Sequence, residues 1–362
     1  MHVVICGGGA IGCATAYFLS RRGAQVTVVE RTGVANAASG KSGGFLALDW
    51  CDGGPLQQLA RRSFALHAEL AETLGGAAAW NYRRMTTYGG YAGYSSGSEG
   101  GPVGWVSDSV TIGQKLGSTE TTAQVHPGAF TRAMMRAAED SGAKLRSGAV
   151  SGITEEDGMV TGVTIDGAAL AADAVVIALG PWSILAARWL PLPAVYGLKG
   201  HSLVFDTGDA LPADALFLET ADGAAHPEVF PRSDGTTYVC GYRSEAPIPL
   251  DPAHVMPEEE QSAHFEAICR DLSPVLRDAP IRARQACYRP VTRDGVPLIG
   301  AIPGMTGAYV ATGHSVWGML NAPATGEAMA GLILDGAART VELWPFDPGR
   351  LPPLAPDDLR FG

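Results

Sequence analysis

Residues Met1 to Glu30 constrain this chain more than any other stretch. His2 to Cys6 is an apolar run of strand length, and it meets Gly7-Gly8-Gly9-Ala10-Ile11-Gly12, which fits G-x-G-x-x-G. A helical pattern follows from Cys13 to Arg22, and a second apolar run, Gln25 to Val29, ends on Glu30. Strand, glycine turn, helix, strand and terminal acid together form the dinucleotide-binding βαβ fingerprint. Gly7 is expected to make the tight turn, Gly9 to let a pyrophosphate approach the backbone, and Gly12 to let helix and sheet pack closely. Ala10 and Ile11, within the fingerprint, are expected to contact the cofactor beside the positive N-terminal end of the helix, which attracts phosphate. Glu30 suits hydrogen bonds from a ribose diol and repels a 2′-phosphate, which favours FAD or NAD over NADP. Arg31 follows it at the same edge.

The remaining composition narrows the function class. A chain of 362 residues is long enough for two units with a sizeable core. A net charge of −11 disfavours a nucleic-acid or anionic-membrane surface. No run is long and apolar enough to suggest an integral membrane contact. The six cysteines are scattered with no C-x-x-C, so neither a metal site nor a disulfide framework is expected, and a reduced cytoplasmic setting fits. The apolar start lacks a basic n-region and reads as folded structure, not as a signal peptide.

Taken in order, Thr32 to Pro55 is a glycine- and serine-rich connection centred on Ala38-Ser39-Gly40-Lys41-Ser42-Gly43-Gly44. It is either a surface loop or a second wrap around the cofactor, with Ser39, Lys41 and Ser42 as donors. Leu56 to Leu74 reads as an amphipathic helix. From Trp80 to Val125 the pattern changes to short alternating runs, including Thr86 to Tyr94, which suggest antiparallel sheet. His126-Pro127 opens a helix over Gly128 to Ser141. Asp173 to Gly180 reads as a buried strand, with Pro181 and Trp182 starting a helix after it. Val195 to Phe205 and Glu228 to Tyr242 are strand-like, Pro257 to Leu272 is helical, and Arg282 to Tyr288 is a strand. A turn at Gly313 to Gly318 then leads into a helix from about Met319 to Leu334.

On these segments the chain resembles the D-amino acid oxidase superfamily of FAD-dependent oxidoreductases, which includes glycine oxidase and sarcosine oxidase. The resemblance rests on the first fingerprint with Glu30, on Ala38 to Gly44, and on Val175-Val176-Ile177-Ala178-Leu179-Gly180-Pro181-Trp182. It continues in Arg289-Pro290-Val291-Thr292-x-Asp294-Gly295-x-Pro297-Leu298-Ile299-Gly300 and Ala311-Thr312-Gly313-His314-Ser315. Gly44 to Asp52 and Gly313 to Gly318 are most similar to a poorly characterised branch of fungal, plant and bacterial oxidoreductases. The resemblance implies an α/β fold. A Rossmann-type FAD-binding domain over 1–79, 125–195 and 285–362 would carry an inserted antiparallel-sheet substrate domain over 80–124 and 196–284. It implies hydride removal from the carbon beside an amine, giving an imine that water hydrolyses, with O2 or another acceptor reoxidising the flavin. Val150, Gly180, Trp182, Gly318 and Met319 join the glycine turn and the Ser39-to-Gly44 loop as implied cofactor contacts.

Four residues carry the expected chemistry. Arg289 matches the arginine that holds a substrate carboxylate in glycine oxidase, the alternative being a structural pair with Asp294. His314, after Gly313, either donates to the flavin or is simply a packed histidine. Tyr242, with Tyr238 on the same strand, either faces the substrate or is a half-buried strand tyrosine. Cys287 lines up with the cysteine that sarcosine oxidase links to its flavin, the alternative being a small residue beneath the ring. The position corresponding to a carboxylate-holding lysine of sarcosine oxidase is Leu320. Lys199 is expected to be structural. The competing readings are a non-catalytic flavoprotein scaffold and a flavin-dependent 2-hydroxy-acid dehydrogenase. The dehydrogenase needs a base near the substrate hydroxyl, for which His314 and His201 are the candidates.

Overall fold

The computed structural model describes residues 1–93, 101–223 and 225–358. Tyr94, the last residue of one expected strand, lies outside them.

The first thirty residues fold as their pattern requires: strand His2–Cys6, helix Ala10–Ser20 and strand Gln25–Glu30. Both strands are buried on two faces, which is why they read as continuous apolar runs rather than alternating ones. They are neighbouring interior strands of a six-stranded sheet. Its order runs Leu298–Ala301, Ala308–Thr312, Ala174–Ile177, His2–Cys6, Gln25–Glu30 and Lys144–Ser147. All neighbours are parallel except the first pair.

Two glycines in this sheet are sterically obligatory. Gly7 has φ +115°, and a Cβ there would sit 2.4 Å from the Ala178 carbonyl oxygen. A Cβ at Gly12 would sit 2.0 Å from the carbonyl oxygen of Gly7, so only glycine lets the helix pass this close to the turn.

Helix Ala10–Ser20 is buried almost all round, because Gly318–Asp335 crosses it on the other flank. The segment after Ala174–Ile177 is a 3₁₀ helix, Gly180–Arg188, where an α-helix was expected. Gly180 has φ +56° and Pro181 follows it, so the chain turns too tightly at the start for a regular α-helical entry.

A seven-stranded sheet faces this unit. Its order is Ile281–Val291, Tyr196–Asp206, Thr236–Ser244, Glu228–Pro231, Asp214–Thr220, Thr86–Ala92 and Val110–Gly117. Only Asp214–Thr220 with Thr86–Ala92 is parallel. Helix Glu259–Leu272 covers one face through Phe265, Cys269 and Leu272. The strand bearing Cys287 and Arg289 runs unbroken in this sheet to Val291, past residue 285, where the return to the nucleotide unit was expected. Hydrogen bonds tie this sheet and its loops to the nucleotide unit. The Tyr238 hydroxyl donates to the Lys41 carbonyl at 2.9 Å, and Trp182 Nε1 donates to the Pro249 carbonyl at 2.8 Å.

Candidate active site

One cleft runs from the Gly7–Gly12 turn, past the Ser39–Gly43 loop, to the near face of the seven-stranded sheet. Helix Ala10–Ser20 starts at its mouth on Gly9, with no side-chain cap and no acid in its first turn. Its N-terminal amides and the positive end of its dipole are therefore presented to an anion. Ser39 Oγ accepts from the Ala10 amide at 2.9 Å and locks the second loop to the first. Glu30 stands at the edge, its Oε2 accepting from the Gly8 amide at 2.7 Å and its Oε1 from the Thr32 amide at 2.8 Å. Arg31 lines the same edge and pairs with Asp251 at 2.8 Å.

Farther in, Val150, Gly180, Trp182, His314, Gly318 and Met319 line the walls, and Cys287 and Arg289 close the inner end. Gly12, Lys41, Gly44, Gly313 and Tyr242, all expected at the site, are not part of the wall. Gly12 packs on Gly7, and a Cβ at Gly44 would meet the Val125 carbonyl oxygen at 1.9 Å. Gly313 adopts φ +81° to make the turn, and Lys41 Nζ donates to the Ala286 carbonyl at 3.3 Å.

Tyr242 is the clearest correction. Simple alternation puts Tyr238, Cys240 and Tyr242 on one face of their strand. Gly241 instead adopts φ +130°, and the register with the next strand slips there, pairing His201 with Tyr242 but Ser202 with Cys240. This bulge turns Tyr242 to the far face, where it packs on His264 and Phe265, while Tyr238 and Cys240 stay in the cleft. Lys199 and His201, both on Tyr196–Asp206, share one acid, Glu258, at the start of helix Glu259–Leu272. Lys199 Nζ pairs with Glu258 Oε1, and His201 Nε2 lies 3.3 Å from Glu258 Oε2 and 3.1 Å from Ser244 Oγ.

Arg289 is not paired with Asp294. The Arg350 guanidinium occupies that carboxylate, at 2.8 Å to Oδ2 and 3.2 Å to Oδ1. Against the opposing effect of burial, hydrogen bonds from Arg350, the Val296 amide and Thr292 hold the Asp294 carboxyl down to about 2. Among the described residues the Arg289 side chain makes no hydrogen bond or ion pair. Its guanidinium lies over Gly200, where a Cβ would be 3.7 Å from Nη2.

Sequence reasoning missed Glu228. This acid lines the inner cleft and accepts from the Cys240 thiol at 3.4 Å. Burial pushes its carboxyl up, and Arg289 pulls it partly back. Its strand was expected, but nothing in the local pattern marks which of its residues meets a cleft built from distant loops.

The donor set fits a flavin dinucleotide. Ser42 Oγ and His314 Nδ1 are buried at the cleft with no partner among the described residues, and a bound cofactor's polar atoms would satisfy such groups. His314 Nε2 is 3.0 Å from Thr325 Oγ1, and burial holds the ring neutral, with its pKa down at about 3. Burial also pushes the Cys287 thiol up, with Arg289 and Lys41 acting the other way.

A family model described as FAD dependent oxidoreductase matches residues 2–332. The chain belongs to this DAO family. A protein of Schizosaccharomyces pombe, named as an oxidoreductase without a substrate, is 30% identical over 381 residues, covering 96% of this chain and 97% of its own. A Pseudomonas putida glycine oxidase is 28% identical over 381 residues, covering 97% and 99%. The solved glycine oxidase of Geobacillus kaustophilus has the same fold, with a TM-score of 0.80 at 24% identity over 96% of this chain and 97% of that one. Among the described residues no helix is long and apolar enough to cross a membrane.

Proposed function

We propose that this family member oxidises the C–N bond of a small amino acid or secondary amine, giving an imine that water then hydrolyses. The observation that carries this reading is the Arg289 guanidinium, open to the inner cleft and unclaimed by any described acid. A guanidinium so placed holds a carboxylate bidentately and aims the adjacent carbon.

FAD, when bound, supplies the hydride acceptor at its N5. The chain's own residues do the rest. The Gly7–Gly12 turn and the first helix would hold the pyrophosphate, and Glu30 the ribose. Ser39, Ser42 and Gly43 would wrap the other side, with Val150, Gly180, Trp182, His314, Gly318 and Met319 around the remainder of the cofactor. Residues 1–79, 125–195 and 285–362 would form the cofactor unit, and 80–124 with 196–284 the substrate unit. The strand through Arg289 spans both.

A competing 2-hydroxy-acid dehydrogenase needs a free base. His314 is buried beside Thr325 with its pKa near 3, and His201 is held by Glu258 and Ser244. Each keeps its Nδ1 without a partner among the described residues, so the choice between the two reactions falls to the substrate that reduces the flavin. The test is the visible spectrum of anaerobic protein with D- and L-amino acids, N-methyl amino acids, amines and 2-hydroxy acids added in turn. Bleaching by an amino acid or amine is the expected result, and bleaching by hydroxy acids alone overturns the reading.

A cysteinyl-FAD bond through Cys287 is the finer part of the proposal, supported by the position of this thiol in the cleft with Lys41 nearby. Acid precipitation decides it. Yellow colour kept in the pellet supports the bond, and colour released to the supernatant refutes it.

A further inference from the structure

The inner cleft holds a second charged group that the reading above leaves unused. Glu228 lies three strands from Arg289, through the pairings Glu228 with Cys240, Cys240 with Ser202, and Gly200 with Cys287. The two side chains reach toward each other over the intervening strands. The Arg289 guanidinium lies over Gly200, and the Glu228 carboxylate touches Cys240 on the adjacent strand. Gly200 and Cys240, against which the two head groups lie, are one strand apart and offset by two residues, a backbone separation of roughly 8 Å. An α-amino acid held at both ends spans a similar distance, because each hydrogen bond is about 2.9 Å long. Both groups line one cavity without forming an ion pair, so neither neutralises the other by contact.

We infer that Glu228 binds the substrate ammonium opposite Arg289 and takes its proton, so that the site selects zwitterionic α-amino acids. This rests on the amine-oxidising reading and names its substrate class. An ammonium N–H bond breaks, its electron pair stays on nitrogen as the lone pair, and the proton joins a Glu228 oxygen, leaving a neutral amine and a neutral carboxylic acid.

A carboxylate already pushed up by burial is suited to accepting that proton. The charged and titratable groups facing it are Arg289, Arg243, His226 and the Cys240 thiol. Glu228 also lines a second cavity, with Gln114, Glu219 and His226, which offers the proton a polar route outward. One cation and one anion match a zwitterion. A 2-hydroxy acid satisfies Arg289 but sets a neutral hydroxyl, not an ammonium, against a half-buried carboxylate whose one described side-chain donor is the Cys240 thiol.

Isothermal titration of the FAD-loaded protein at mildly alkaline pH tests this with three probes of one shape, none having an α-hydrogen: 2-aminoisobutyrate, 2-hydroxyisobutyrate and pivalate. Wild-type protein is expected to bind the amino acid at least about tenfold tighter than the other two, as a desolvated charge contact requires. The isosteric Glu228→Gln should erase that preference while FAD content stays unchanged. Arg289→Met should abolish binding of all three. Equal affinity for the three probes, with Glu228→Gln unchanged and Arg289→Met still disruptive, overturns the role of Glu228 and leaves the carboxylate-binding reading standing. Binding that survives Arg289→Met, or no binding at all, overturns both.

Discussion

Arg350 Nε donates to Asp294 Oδ2 at 2.8 Å, and this pairing sets Arg289 free. Asp294 lies five residues beyond Arg289 and would be the obvious partner from sequence alone. With Asp294 engaged from the C-terminal segment, replacing each arginine should have a distinct effect. Arg289→Met is expected to raise KM for an amino acid substrate roughly 100-fold, through two lost charge-assisted hydrogen bonds, with flavin content unchanged. Arg350→Met is expected to lower the thermal midpoint with KM unchanged. Steady-state kinetics and a melting curve on both variants check the pair.

Gly12→Ala tests the cradle. The new Cβ would sit 2.0 Å from the Gly7 carbonyl oxygen, which is backbone and cannot swing away. The helix must move off the turn, at a cost of roughly 1–3 kcal/mol or more. Flavin absorbance per protein after gel filtration should drop steeply.

The bulge gives a third prediction. Gly241→Ala places a Cβ 1.9 Å from the His226 carbonyl oxygen at a φ of +130°, a conformation a side chain rarely tolerates. Urea unfolding should show a loss of roughly 1–3 kcal/mol or more. Probe binding should weaken as well, because Cys240 and Glu228 are positioned by the same strands.

Acid sensitivity follows from two buried histidines. Burial lowers His67 to about 4 and His314 to about 3, so both are neutral in the folded chain at pH values where the unfolded chain protonates them near 6.5. The unfolded state therefore binds more protons below that value, and stability falls as the pH drops from about 6.5 toward 4. Each histidine contributes up to roughly 1.4 kcal/mol per pH unit. Urea midpoints should fall between pH 6.5 and 5, and His67→Gln should flatten that slope. An unchanged slope in the variant would mean that His67 does not titrate on unfolding.

Local rules were enough for much of this protein. Gly7, Gly9, Gly12 and Glu30 read as a nucleotide cradle because a βαβ turn is encoded within thirty neighbouring residues, each with a steric or electrostatic duty. Helices such as Gln57–Thr73 and Pro127–Asp140 were legible from their apolar spacing and, for the second, from its proline entry. The inner end of the site was less so. Whether Arg289 pairs with Asp294 depends on Arg350, and whether Tyr242 or Tyr238 meets the cleft depends on one bulge at Gly241. Glu228 acquires its place only when four strands, drawn from residues 196 to 291, align across one sheet. Strand periodicity states that side chains alternate but not where the alternation slips, and charge partners far apart in sequence are chosen by packing. The nucleotide cradle was therefore set by the sequence pattern, and the chemistry facing it by the tertiary structure.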